Sequence, residues 1–202
     1  MNDPRAFRRH DESSDAGFYR SPRFVEHIDD VAITALTGIY RARLPAGGRV
    51  VDLMSSWTSH LPHDVGYGYV AGLGMNAAEL AANVQLDERV VQDLNRNVAL
   101  PWYDGVFDAA VIGVSVQYLT RPLEIFSELA RVVRPGGSLV VSFSNRCFPT
   151  KAVAIWQALD DVGHVALVTR YLEEAGGWQG IENLVSRPPH GDPLFAVLAT
   201  RA

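Results

Sequence analysis

The chain has 202 residues, of which 48% are apolar, and it carries a net charge of -5 and a single cysteine, Cys147. This length and composition predict one domain with a sizeable core, while the negative charge opposes nucleic-acid binding and one cysteine favours neither a disulfide nor a structural metal site. No apolar run reaches the roughly 18 to 20 residues of a membrane-spanning helix, and residues 1–20 carry charges where a signal peptide is apolar, so we expect a cytoplasmic protein without a membrane partner.

The N-terminal part of the chain divides into two predicted segments. Residues 1–22 combine several charges with Phe18, Tyr19 and Pro22, and we expect them to form a mobile arm that could close over a binding site as a lid. From residue 23 to residue 43, apolar side chains recur at steps of three and four residues, which is typical of an amphipathic helix. Residues 23–202 are therefore predicted to form the folded domain.

The middle of the chain alternates between strand and helix patterns. Strand-like runs are found at residues 50–54, 65–71, 89–91, 109–114 and 139–143. Helical patterns at residues 76–83 and 122–133 separate some of these runs. This alternation is typical of an α/β domain, in which helices cover both faces of a parallel sheet.

The end of the chain predicts a change in strand direction. Helix candidates at residues 150–159 and 164–175 precede strand candidates at residues 181–186 and 194–200. The link between these last strands is too short for the crossover that parallel neighbours need, so the two strands must be antiparallel. We therefore predict a Rossmann-like sheet of seven strands that is mostly parallel and has an antiparallel last strand.

Two segments resemble a known family. Residues 100–108 read L-P-W-Y-D-G-V-F-D, which is similar to the L-P-F-x-D-x-S-F-D of many small-molecule methyltransferases. Residues 128–137 read E-L-A-R-V-V-R-P-G-G, which is similar to the E-x-x-R-V-L-K-P-G-G of the same family. The chain thus resembles class I methyltransferases of the type 11-like group. The resemblance implies S-adenosylmethionine (SAM) as the cofactor and a small molecule as the methyl acceptor.

The first loop departs from the family pattern. The family writes this loop as D-x-G-x-G-x-G, whereas residues 52–60 read D-L-M-S-S-W-T-S-H and contain no glycine. The small side chains of Ser55 and Ser56 would allow a close approach if the turn avoids positive φ, and their hydroxyls could bind the cofactor carboxylate. Trp57, Tyr19 and Tyr118 could cover the sulfonium with their ring faces, although core or lid packing is the simpler interpretation of Trp57.

The family also places an acid after the second and the third strand. After the second strand, Gly74 stands where the ribose-binding acid is expected, and Asn76 could replace that acid as a neutral group. After the third strand, Asp93 matches the acid that accepts from the adenine amino group, with capping as its alternative role, and Leu94 offers its backbone N–H. The cofactor-binding residues that the resemblance implies are Asp52, Ser55, Ser56, Trp57, Gly72, Gly74, Asn76, Asp93, Leu94 and Ser115.

Methyl transfer requires alignment and exclusion of water more than an obligatory catalytic motif. Tyr118 or His60 could act as a base or orient the acceptor, since both follow predicted strands. The acceptor would contact side chains beyond the fourth and fifth strands and in the N-terminal arm, with Arg146 holding an anionic group. These predicted substrate-binding residues are Tyr19, Gln117, Asn145 and Arg146.

Two other functions are compatible with the sequence. The run from Gly72 through Gly74 to Ala77 fits G-x-G-x-x-A and precedes Asp93 by about 20 residues, which would suit a nicotinamide dinucleotide site. The glycine-free first loop and the missing ribose acid would also suit a methyltransferase-fold protein that binds partners without transferring a methyl group.

Overall fold

The computed structural model describes residues 3–202. The strands of its sheet are β1 (Arg49–Leu53), β2 (Tyr69–Gly74), β3 (Glu88–Val91), β4 (Phe107–Gly113), β5 (Val133–Phe143), β6 (Trp178–Ser186) and β7 (Leu194–Arg201). They form one seven-stranded sheet in the order β3-β2-β1-β4-β5-β7-β6. Strands β1 to β5 pair in parallel, whereas β7 is antiparallel to both β5 and β6. The predicted sheet, with its antiparallel last strand, is confirmed.

Helices cover both faces of this sheet, as predicted. The α-helices are α1 (Asp15–Phe18), α2 (Asp30–Arg43), α3 (Ala77–Ala82), α4 (Pro122–Val132), α5 (Ala154–Gln157) and α6 (Asp161–Ala175), with 3-10 turns at Pro4–Phe7 and Val116–Tyr118. One buried cluster includes Phe126 of α4 and Leu172 of α6, and the other includes Leu36 of α2 and Leu80 of α3. Within residues 3–202, no helix is long and apolar enough to cross a membrane.

Several element boundaries differ from the prediction, for local reasons in one case and through distant contacts in another. Helix α2 begins at Asp30 rather than at residue 23, since the Asp29 side chain accepts the Ala32 N–H at 3.0 Å and caps the helix. Strand β2 begins and ends later than predicted and includes Gly74. The helix predicted over residues 150–159 is reduced to α5, because residues 150–154 pair with the N-terminal segment instead.

The described part of the predicted arm, residues 3–22, packs against the domain. Arg9 forms an antiparallel bridge with Val153, and the Asp11 N–H donates to the Thr150 carbonyl at 2.8 Å. The Lys151 ammonium, whose side chain is fully buried, lies 3.1 Å from an Asp11 carboxylate oxygen and 3.2 Å from an Asp15 oxygen. The segment therefore has a defined docking site, while its mobility stays a prediction.

Candidate active site

A cavity of about 380 Å³ opens at the carboxyl ends of the parallel strands. It lies where the strand order reverses between β1 and β4, which is the usual ligand position in open α/β sheets, and its volume is typical of small-molecule sites. Its walls come from the loops that follow β1 to β5 and from the N-terminal residues before α2.

Most of the predicted site residues line this cavity. They are Tyr19, Asp52, Ser55, Ser56, Trp57, His60, Gly74, Asp93, Leu94, Ser115, Tyr118 and Arg146. Four other predicted residues, Gly72, Asn76, Gln117 and Asn145, are not among the described residues that line it. The sheet thus brings together side chains from loops that are far apart in sequence.

The glycine-free first loop still requires the backbone conformation that glycine favours. Met54 has a φ of 61° and His60 a φ of 55°, and Val114, which follows β4, has a φ of 49°. Positive φ is uncommon in residues other than glycine and is most strained in a β-branched residue such as valine. Ser55 and Ser56 themselves avoid it, so the strain falls on the residue before them.

Asp52 holds the first loop in place. Its side chain is buried, and one carboxylate oxygen accepts hydrogen bonds from the hydroxyls of Ser55 and Ser59, both at 2.6 Å. The Ser56 hydroxyl donates in the same way to Glu79 at 2.7 Å. Both serines that we expected to donate to a cofactor carboxylate are therefore already donating to acids of the protein. Donation to a cofactor carboxylate therefore stays a prediction, and it requires the two protons to leave these neighbouring acids.

The buried position of Asp52 predicts a pH-dependent stability. Burial raises the pKa of this carboxyl to about 6, despite the two serine hydrogen bonds that lower it. A raised folded-state pKa stabilises the fold at low pH, and this contribution is lost as the pH rises from about 4 through about 6.

We expect Asp52→Asn to remove this loss, because the amide oxygen can still accept from both serines. Between about pH 4 and pH 7, the free energy of unfolding of the variant should gain about 2–3 kcal/mol relative to wild type. Urea unfolding of both proteins across this range measures the difference. If the two free energies of unfolding differ by the same amount at every pH in this range, the raised pKa of Asp52 is contradicted.

The conformation of the first loop explains why position 74 is a glycine. A Cβ at this position would lie 2.1 Å from the Ser55 carbonyl oxygen, far inside van der Waals contact. The loop is fixed there because the Ser55 N–H donates to the Leu73 carbonyl at 2.8 Å. No acid can therefore occupy the position at which the family binds ribose.

The nicotinamide dinucleotide interpretation is not supported by these glycines. Gly72 and Gly74 both lie within β2, whereas the dinucleotide fingerprint places its glycines in the turn after the strand. A Cβ on Gly72 would lie 2.4 Å from the Leu86 side chain, so this glycine is needed for packing. The interpretation was wrong because the second strand ends later than the sequence pattern indicated.

Asn76 has a structural role rather than the predicted role at the ribose. Its side-chain oxygen accepts the N–H groups of Ala78 and Glu79, and its amide donates to the carbonyls of Tyr19 and Arg20. The residue therefore caps α3 and holds the N-terminal segment. We did not predict Glu79, a buried cavity residue in the first turn of α3, although an acid in the first turn of a helix after a strand was a recognisable signal.

The loop after β3 combines capping with exposure to the cavity. One Asp93 oxygen accepts the Asn95 N–H at 3.0 Å, so the capping role of Asp93 is observed, and the residue also lines the cavity. Asn95, which we did not predict, donates to Asp15 at 3.0 Å and to the Tyr118 carbonyl at 3.0 Å. The buried Asp15 pairs with Arg9 at 2.7 Å, which brings the N-terminal segment to this side of the cavity.

The two predicted catalytic candidates have different protonation properties. Burial raises the pKa of Tyr118 to about 12, and its oxygen accepts the Phe148 N–H at 2.8 Å, which favours a role in positioning rather than as a base. Burial lowers the pKa of His60 to about 4, with a further contribution from the charge of His27. His60 is therefore neutral at pH 7 and can accept a hydrogen bond, but its lowered pKa makes it a weak base.

Three further residues that line the cavity are Trp57, Arg146 and Ser115. The Trp57 indole donates to the Val25 carbonyl at 3.1 Å, which agrees with its interpretation as lid packing. Arg146 is exposed and pairs with Asp192 at 3.2 Å. The hydroxyl oxygen of Ser115 is buried and has no hydrogen-bond partner among the residues that the structure describes. Ser115 is thus a polar cavity residue that remains available to a ligand.

Comparison with known proteins agrees with this architecture. Residues 56–141 match the family model described as a methyltransferase domain. The fold is similar to that of geranyl diphosphate C-methyltransferase from Streptomyces coelicolor A3(2), with a TM-score of 0.63 and 13% identity over 93% of this chain and 97% of that one. The family match covers less than half of the chain, and the solved structure shows that the chain has the fold of a class I methyltransferase. This methyltransferase fold is also similar to that of the cyclase SpnF, with a TM-score of 0.63 and 16% identity over 92% of this chain and 91% of that one.

Curated relatives match less than half of the chain. It is 36% identical over 85 residues to the ubiquinone/menaquinone biosynthesis C-methyltransferase UbiE of Roseobacter denitrificans, covering 38% of this chain and 33% of that protein. It is 42% identical over 82 residues to a demethylmenaquinone methyltransferase of Mycolicibacterium vanbaalenii, covering 39% of this chain and 33% of the relative. The chain thus spans about a third of the length of these two relatives.

Proposed function

We propose that this protein transfers a methyl group from SAM to a small-molecule acceptor. The observation that carries the proposal is the cavity at the β1/β4 reversal, which is lined by Asp93 and Leu94 and whose walls come largely from the family-matched segment. SAM, when bound, supplies an electrophilic methyl group. The acceptor is proposed to be a small molecule because the cavity has the size of a small-molecule site.

The residues of the cavity fit such a cofactor. The Asp93 carboxylate and the Leu94 N–H would hold adenine, and the unpartnered Ser115 hydroxyl offers a further polar contact. Residues before α2 form one wall of the cavity, and the Trp57 indole donates to the Val25 carbonyl there. The chain would therefore act mainly by alignment and by exclusion of water, with neutral His60 available to accept a hydrogen bond from the acceptor.

Ligand binding tests the proposal directly. We expect calorimetry to show binding of both SAM and S-adenosylhomocysteine to the folded protein. The alternative, a methyltransferase-fold protein without transfer activity, is favoured by one observation: Ser55 and Ser56 already donate to Asp52 and Glu79. Absence of heat with either ligand would overturn the enzyme proposal and support this alternative.

Substitution of Asp93 tests the position of adenine. Asp93→Ala should weaken S-adenosylhomocysteine binding by about ten- to a hundredfold, because a hydrogen bond to a charged acceptor contributes about 1.5–3 kcal/mol. Asp93→Asn should separate capping from adenine binding, since an amide oxygen can still accept the Asn95 N–H. Asp30→Ala, on the exposed start of α2, is the matched control. Unchanged affinity in both Asp93 variants would refute the placement.

A further inference from the structure

Arg23 is a cavity residue whose charge has no ion-pair partner among the residues that the structure describes. Its backbone N–H donates to Glu79 at 2.7 Å, and its Nη2 donates to the Phe18 carbonyl at 2.9 Å. The guanidinium carbon lies 4.6 Å from the centre of the Phe18 ring and 5.4 Å from that of Phe148. Its Nη1 is buried and lacks a hydrogen-bond partner within the same residues.

The neighbouring acid does not neutralise this arginine. The two Glu79 oxygens accept from the Arg23 backbone N–H and from the Ser56 hydroxyl, and within residues 3–202 no acid forms an ion pair with the Arg23 guanidinium. A buried donor without an acceptor costs about 1–3 kcal/mol, and more when it is charged. The aromatic rings fix the position of the guanidinium but supply no hydrogen-bond acceptor.

Several other polar groups of the cavity are already engaged, although the Ser115 hydroxyl is not. The hydroxyls of Ser55 and Ser56 donate to acids of the protein, and Arg146 pairs with Asp192. Arg23 therefore differs from them in offering a ligand a positive charge and a buried N–H without a partner. A carboxylate matches this donor, because the planar fork of arginine suits its two oxygens.

We infer that Arg23 is the anion-binding residue of the cavity and that it binds a carboxylate. The inference rests on the proposed function, since it assumes a ligand of this cavity. The carboxylate can come from the methionine part of SAM, because Glu79 links Arg23 to Ser56 of the first loop, or from the acceptor, because Phe148 follows β5. In either case the chain before α2 would contribute a binding residue to the cavity that it lines.

The first experiment tests whether the carboxylate that Arg23 binds comes from the cofactor. It uses two ligands that differ in the amino-acid part. S-adenosylhomocysteine carries a carboxylate, and 5′-methylthioadenosine does not. If the cofactor supplies the carboxylate, Arg23→Gln lowers affinity for the first ligand at least about tenfold and leaves affinity for the second unchanged. Arg23→Lys should restore part of the loss because it retains the charge. Arg20→Gln, an exposed arginine of the same segment, is the matched control.

The second experiment tests whether the carboxylate comes from the methyl acceptor. It uses probes that differ only in charge. Benzoate and 4-hydroxybenzoate are compared with their amides for binding to the S-adenosylhomocysteine complex. If the acceptor supplies the carboxylate, wild type prefers the carboxylates, and Arg23→Gln loses that preference while its melting temperature stays close to that of the Arg20→Gln control.

The inference is overturned if Arg23→Gln changes neither the affinity for S-adenosylhomocysteine nor the preference for carboxylate probes. Failure of the proposed function has a different signature, since wild type would then bind neither SAM nor S-adenosylhomocysteine. In that case the four probes are compared on the free protein, and equal binding of acids and amides overturns the inference as well.

Discussion

Lys151→Met is expected to lower the free energy of unfolding by about 3–5 kcal/mol and to release the N-terminal segment. The ammonium of Lys151, the only lysine of the chain, is fully buried between Asp11 and Asp15 and donates to the Ser13 carbonyl at 2.7 Å. Methionine would fill a similar volume but leave the buried Asp15 with fewer counter-charges. Removal of one partner from a buried ionic network is costly, because the remaining charges lose part of their pairing while they stay shielded from water.

Urea unfolding and hydrogen exchange measure the two parts of this prediction. Exchange should increase in residues 5–22, where the hydrogen bonds to residues 150–154 hold the segment. Arg187→Met is the control, because it breaks an exposed ion pair with Asp161 and should cost less than about 1 kcal/mol. Equal stability of the two variants, with the segment still protected, would show that the buried network does not anchor it.

Gly74→Asp is expected to abolish binding of S-adenosylhomocysteine, although it introduces the acid that the family uses for ribose. The new Cβ would lie 2.1 Å from the Ser55 carbonyl oxygen, and Leu80 blocks the other side at 3.2 Å. The loop cannot retreat without losing the hydrogen bonds of Ser55 to Leu73 and Asp52. We expect Gly74→Ala to share most of the effect, with a loss of stability of about 1–3 kcal/mol or more, because the clash begins at Cβ.

The matched control for Gly74 is another glycine with free space around it. A Cβ added to Gly38, in the exposed part of α2, would meet no atom within 4 Å, and Gly38→Ala should stabilise the protein by about 0.5–1 kcal/mol. Calorimetry and thermal unfolding of the three variants provide the comparison. Binding by Gly74→Asp at wild-type affinity would mean that the loop after β1 is not fixed against β2.

The pattern of apolar residues was sufficient to predict most of the sheet. Each strand and long helix has a local periodicity, and the short link before β7 left only an antiparallel pairing. The exceptions are segments in which a distant partner changes the local preference. Residues 150–153 read as helix, but they pair with the N-terminal segment and leave only the short α5.

The candidate site was only partly predictable for the same reason. Asp93 could be found because it follows a strand and matches a family position, and it does line the cavity. Asn76 was misassigned because its partners, Tyr19 and Arg20, belong to a segment that the sequence indicated only as an arm. Arg23 was missed because a single charged residue has no sequence signal until its surroundings are known, whereas Glu79 was missed although its position in the first turn of a helix after a strand was a signal.

The sequence by itself determined the order and type of the main elements, the antiparallel last strand and the edge of the sheet where a ligand can bind, because these depend on periodicity and link length. Only the tertiary structure decided how the glycine-free loop is accommodated. Met54 takes the left-handed conformation, Asp52 ties down two serines, and Gly74 leaves space for the Ser55 carbonyl. These contacts join residues from different loops, so their energies depend on distances in space that no local pattern records.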